Sequence, residues 1–144
     1  MAREFQVTFD CADPAALSTF WAAALGYKLA DPPEGSATWA EWLQKIEVPE
    51  EEWDEGSAIA DPEQRGPRIY FQRVHEPKTA KNRLHLDVNA SAGPTAPLDQ
   101  RKEQVDAGVD RLLGLGARRL AAYEERDHYH VLMQDPKGNE FCLR

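Results

Sequence analysis

The sequence predicts an α+β fold of two tandem βαβββ modules, a cupped mixed sheet with helices on its outer face. Three observations predict it. First, a unit of strand, helix, glycine stop and further strands occurs twice, from Phe5 through Leu25-Gly26-Tyr27 and from Arg83 through Leu115-Gly116-Ala117. Second, both opening strands alternate apolar and polar residues, giving each one greasy and one polar side. Third, neither unit can bury its apolar side alone, so two copies must pack together. A chain of 144 residues has the length of one domain. The expectation is therefore a single domain over 1–144, with module one at about 3–76 and module two at about 82–144.

The first strand covers residues 5–11. Phe5, Val7, Phe9 and Cys11 share one face; Gln6, Thr8 and Asp10 share the other. Asp13 is suited to cap a helix and Pro14 to occupy its first position. Leu17, Phe20, Trp21, Ala24 and Leu25 then recur at helical spacing, and Gly26 stops the helix. A strand is expected over Tyr27 to Ala30. Residues 31–66 hold four prolines and an acidic run of Glu47, Glu50, Glu51, Glu52, Asp54 and Glu55, and read as a long loop. Short strands are expected in it at Thr38 to Leu43 and Ser57 to Ala60, with turns at Asp61-Pro62 and Gly66-Pro67. Ile69 to Val74 closes the module as a strand.

The second module opens with Leu84, Leu86 and Val88 on one face and Arg83, His85, Asp87 and Asn89 on the other. A small-residue loop over 90–98 leads to a helix marked by Val105, Val109, Leu112 and Leu113. Gly108 within that helix costs roughly 1 kcal/mol against alanine, a deficit that packing must offset. Strands follow at Arg118 to Tyr123, Tyr129 to Gln134 and Glu140 to Leu143, the last two joined by the tight turn Asp135-Pro136-Lys137-Gly138-Asn139.

Composition narrows the function. Seventeen basic residues against 25 acidic ones give a formal charge of −8. That balance argues against nucleic acid and against anionic membrane surfaces as partners. Neither terminus carries an apolar run suited to a signal peptide or a membrane span, so a cytoplasmic location is expected. Cys11 and Cys142 make no disulfide framework.

With the greasy strand faces turned to the helices, the polar faces line a cup. Module one should contribute Gln6, Thr8, Asp10, Tyr70 and Gln72; module two should contribute Arg83, His85, Asp87, Glu140 and Cys142. Such a floor is costly unless a ligand, a metal, water or mutual bonding satisfies it. Tyr70, Arg83 and Asp87 are thereby candidate ligand contacts. His85 stands where Gln6 stands in the other module, and Glu140 and Cys142 share a face from which either could reach it. Glu140 is the candidate catalytic carboxylate. Cys142 is a candidate metal ligand or a nucleophile activated by His85. Cys11, on the helix side, should be inert core. Trp39 and Trp42, like Trp53, lie by the acidic run, where rings beside carboxylates can either grip a flat cation or pin the loop to the body. His128 and His130 alternate in their strand, and one of them could face the cup.

The chain resembles the vicinal oxygen chelate superfamily of glyoxalase I, extradiol dioxygenases, fosfomycin-resistance enzymes and bleomycin-resistance proteins. The resemblance is strongest to the glyoxalase-like proteins of bacteria. It rests on Asp13-Pro14, Phe20-Trp21, Leu25-Gly26-Tyr27, Lys81-Asn82-Arg83-Leu84-His85-Leu86-Asp87-Val88, Leu115-Gly116-Ala117 and Asp135-Pro136-Lys137-Gly138-Asn139-Glu140-Phe141-Cys142. It implies a homodimer and one divalent metal (zinc, nickel, manganese or iron) held by Gln6, Gln72, His85 and Cys142, or no metal at all. Gln72 and Cys142 depart from the carboxylate usual at their places, and Glu140 is displaced by two residues. The function implied is binding of a small organic molecule, with metal-dependent lyase chemistry on vicinal oxygens. The alternative is a metal-free protein that sequesters a cationic aromatic compound such as an antibiotic. A third reading makes the cup vestigial and the chain a partner-binding module.

Overall fold

The computed structural model describes residues 1–144 in two compact units, Met1–Pro77 and Lys78–Arg144. In the first, β1 (Val7–Cys11) leads to α1 (Pro14–Leu25). The helix begins as its sequence dictates, with the Asp13 carboxylate accepting the Ala16 N–H at 3.1 Å and Pro14 at the first position. It ends at Gly26, whose φ of 70° lies in the left-handed region open to glycine. Leu17, Phe20, Trp21 and Ala24 are buried on one face, against β3 (Gly56–Ala60) and β4 (Ile69–Arg73). Phe9 stacks on Phe71 and meets Trp21 at a tilt, and Cys11 is buried as expected.

The strand order is β1-β4-β3-β2, where β2 is Lys28–Leu29. Strands β1 and β4 run parallel and the other pairs antiparallel. Thr8 pairs with Tyr70 and Asp10 with Gln72, so the polar residues of both strands share a face. One expectation fails here. Thr38 to Leu43 is not a strand; Trp39–Lys45 forms helix α2. Thr38 Oγ1 accepts the Glu41 N–H at 3.1 Å, and the Glu41 carboxylate reaches back to the Ala37 N–H at 2.9 Å. This reciprocal capping outweighs the strand preference of the tryptophans and threonine. A single 3₁₀ turn, Glu50–Glu52, follows.

The second unit repeats the topology. Its strands, β5 (Asp87–Val88), β6 (Arg118–Glu125), β7 (His128–Gln134) and β8 (Glu140–Leu143), are ordered β5-β8-β7-β6. Opening strand and closing strand are again parallel neighbours. The strand expected over 83–89 is cut to two residues: the register with β8 carries Arg83 and Leu84 past its start at Glu140, and the ladder itself forms only at Asp87 and Val88. The Leu86 carbonyl still accepts the Cys142 N–H at 2.9 Å, but Leu84 is exposed. Helix α3 (Leu98–Gly114) buries Val105, Val109 and Leu112 against this sheet, while Leu113 faces outward. Gly108 has its reason in packing: a Cβ there would stand 2.8 Å from Leu143 Cδ2 and 3.3 Å from Ala90 Cβ. Val131, Met133, Phe141 and Leu143 complete this core. No helix is long and apolar enough to cross a membrane.

Candidate functional site

The alternation that sends Phe141 and Leu143 into the helix-side core turns Cys142 to the opposite face of the sheet. The parallel register sets Asp87 directly beside Cys142, and His85, two residues earlier, points the same way. The three side chains meet. His85 Nε2 lies 3.4 Å from Asp87 Oδ1, and one donor atom from each of His85, Asp87 and Cys142 falls within 4.8 Å of the others. His85 and Asp87 are about two-fifths exposed, whereas Cys142 is buried. Arg144 borders the cluster, its Nε 3.9 Å from Asp87 Oδ2 and 3.2 Å from Asn89 Oδ1.

All three donors line a cavity of about 1070 Å³. Tyr123, His128 and His130 line it from the β6–β7 hairpin, and the loop of Ser91 to Pro94 contributes as well. Both histidines of β7 thus line the cavity, where one was expected to reach it; two residues apart on one strand, they share a face. No motif or spacing in the sequence marks Tyr123. Its signal lay in the pairing of β6 with β7, which sets it opposite His130.

Two acidities shape the site. Burial pushes the Cys142 thiol up, and the Asp87 charge pushes it the same way. The free protein therefore holds a protonated thiol, contrary to an activated nucleophile. Glu140 goes the other way. Burial alone would raise its carboxyl, but the Asn82 N–H at 2.9 Å and the Lys78 ammonium at 3.1 and 3.0 Å outweigh it and hold the group at about 2. Its carboxylate is committed to the segment leading to His85, and Glu140 does not line the cavity.

The other expected site residues are placed as follows. Gln6 and Gln72 stand on the first unit, where the Gln6 Oε1 accepts from Arg68 at 2.5 Å and Gln72 is exposed on β4. Tyr70 carries the Arg68 guanidinium over its ring at 5.8 Å. Trp39 and Trp42 meet edge to face, ring centres 5.6 Å apart, and the Trp39 indole donates to the Ala30 carbonyl at 2.7 Å. The Trp53 indole donates to the Val48 carbonyl at 3.0 Å, so Trp39 ties the 31–55 segment to the end of β2 and Trp53 ties it to itself. Arg83 is exposed and stands outside the cavity lining.

The family model of the glyoxalase-like domain matches residues 6–144. No curated protein matches the sequence. Among solved structures, the chain is similar to a glyoxalase/bleomycin resistance protein/dioxygenase family enzyme from Burkholderia phytofirmans PsJN. The two are 20% identical over 96% of this chain and 94% of that one, with a TM-score of 0.62. It is also similar to a mutant of FosX, the genomically encoded fosfomycin resistance protein of Listeria monocytogenes, complexed with Mn(II) and 1S,2S-dihydroxypropylphosphonic acid. There the identity is 10%, the coverage 100% and 90%, and the TM-score 0.64. A glyoxalase-related enzyme from Fulvimarina pelagi is 14% identical over 99% and 87% of the two chains, with a TM-score of 0.62.

Proposed function

We propose that this chain, which belongs to the glyoxalase-like domain family, binds a small organic molecule with vicinal oxygens in the cavity of its second unit, beside one divalent metal held by His85, Asp87 and Cys142. The observation that carries this reading is the convergence of those three donors on the cavity wall. The donor set fits zinc, which accepts imidazole nitrogen, carboxylate oxygen and thiolate sulfur, and which with three protein ligands keeps a position for substrate. The sulfur favours zinc over the harder manganese. Bound there, such an ion supplies Lewis-acid polarisation of the ligand's oxygens, the setting for lyase-type chemistry.

The side chains do the rest. Asp87 Oδ1, 3.4 Å from His85 Nε2, stands close enough for both side chains to meet one ion, and Arg144 restrains Asp87 and Asn89 from the rim. Glu140 acts by position, since its hold on Lys78 and Asn82 fixes the stretch that delivers His85. A cytoplasmic setting keeps Cys142 reduced and available.

Cobalt(II) loaded into the full chain tests the assignment. The wild-type protein should show a thiolate-to-cobalt charge-transfer band in the near ultraviolet. The band should vanish in Cys142→Ser, and binding should weaken in His85→Ala and Asp87→Asn by roughly tenfold or more. A wild-type cobalt spectrum without a sulfur band overturns the site.

A further inference from the structure

The cavity-facing side chains of the second unit stand in rows fixed by strand register. One row runs Asp87, Cys142, Leu132, Ala121. Two residues further along β7 and β6 stand His130 and Tyr123, opposite one another in the ladder. Their rings are nearly parallel, 5.2 Å between centroids and 21° between planes. Tyr123 is 49% exposed, so much of its ring remains open, and both rings line the cavity that holds the donor cluster. A cross-strand aromatic pair could stabilise a hairpin from either face. This one lies on the polar face, away from the core that α3 covers, and about half of the Tyr123 surface is left to be covered by something else.

We infer that Tyr123 and His130 form a shelf for a flat aromatic ring, so that the molecule bound here carries an aryl group joined to its vicinal oxygens by a link of one or two atoms. The inference rests on the donor-cluster reading above and names the ligand class for it. Register sets the link. Neighbouring strands lie about 4.8 Å apart and two residues advance a strand by about 6.7 Å, which separates Cys142 from His130 by about 8 Å and from Tyr123 by about 12 Å. A ring that itself bears the two oxygens stays beside the donors and falls short of the shelf. A ring on a short arm reaches it. Aromatic faces attract one another in offset stacks beyond what area burial supplies. A saturated ring of similar size lacks that contribution, and the difference between the two rings isolates the shelf.

Calorimetry on the zinc-loaded full chain makes the comparison with 3-phenyllactate, 3-cyclohexyllactate and lactate, which share one pair of vicinal oxygens. The phenyl compound should bind roughly three- to tenfold more tightly than the cyclohexyl one. That preference should disappear in Tyr123→Val and persist in Tyr123→Phe. His130→Ala, a second route to the same shelf, should also reduce it. Equal affinity of the two ring compounds in the wild-type protein overturns the shelf while leaving the donor cluster standing, as does binding of lactate alone. Failure of all three, lactate included, removes the donor-cluster reading and the shelf with it.

Discussion

At Glu140 one carboxylate receives an ammonium on both oxygens and a backbone N–H besides, with the side chain 9% exposed. Charge-assisted hydrogen bonds of this kind contribute more than neutral ones, and Glu140→Gln should cost about 2 kcal/mol of folding stability. The pH dependence has a definite sign. The folded-state acidity lies below the ordinary value of 4.5, at about 2. The stabilisation is therefore complete above 4.5 and is lost as pH falls through that window. Urea unfolding midpoints should decline more steeply from pH 4.5 to 2 in the wild type than in Glu140→Gln; parallel declines contradict the role. Residue by residue, much of the site was legible. Alternation alone put His85, Asp87 and Cys142 on one polar face. It could not show that Asp87 meets Cys142 as a third donor, because that neighbourhood arises from a parallel pairing of segments far apart in sequence.

Elements with strong local signals matched expectation. Helix α1 has its cap, its proline and its glycine where the pattern required them. Helix α2 was misread because its tryptophans and threonine favour strands, while its short Thr-x-x-Glu signature specifies a helix start. Strand β5 is shorter than the alternation over 83–89 suggests, because alternation describes faces and says nothing of where the ladder to β8 forms, which is at Asp87 and Val88 alone. The caps of α2 also carry a prediction. None of its residues is buried, so the helix depends on its ends more than on packing. Thr38→Ala should cost that helix about 1 kcal/mol and appear as faster amide exchange confined to 39–45, with the melting temperature little changed. Unaltered exchange in that segment contradicts the capping account.

Across the whole molecule, the internal repeat proved the most reliable signal. Both units order their strands first, last, third, second, and both pair first with last in parallel. The repeat is structural before it is chemical. Unit two gathers an imidazole, a carboxylate and a thiol on its polar face, where unit one carries amides, a threonine, the Asp10 carboxylate and a tyrosine engaged with arginine, but neither imidazole nor thiol. The central claim is that one unit by itself supplies three donors to one ion, and zinc retention after equilibrium dialysis of the full chain addresses it most directly. The account predicts one zinc per wild-type chain and none in the combined His85→Ala, Asp87→Asn, Cys142→Ser variant, its circular dichroism unchanged. A wild-type chain that retains no zinc, or a triple variant that retains as much as the wild type, contradicts it.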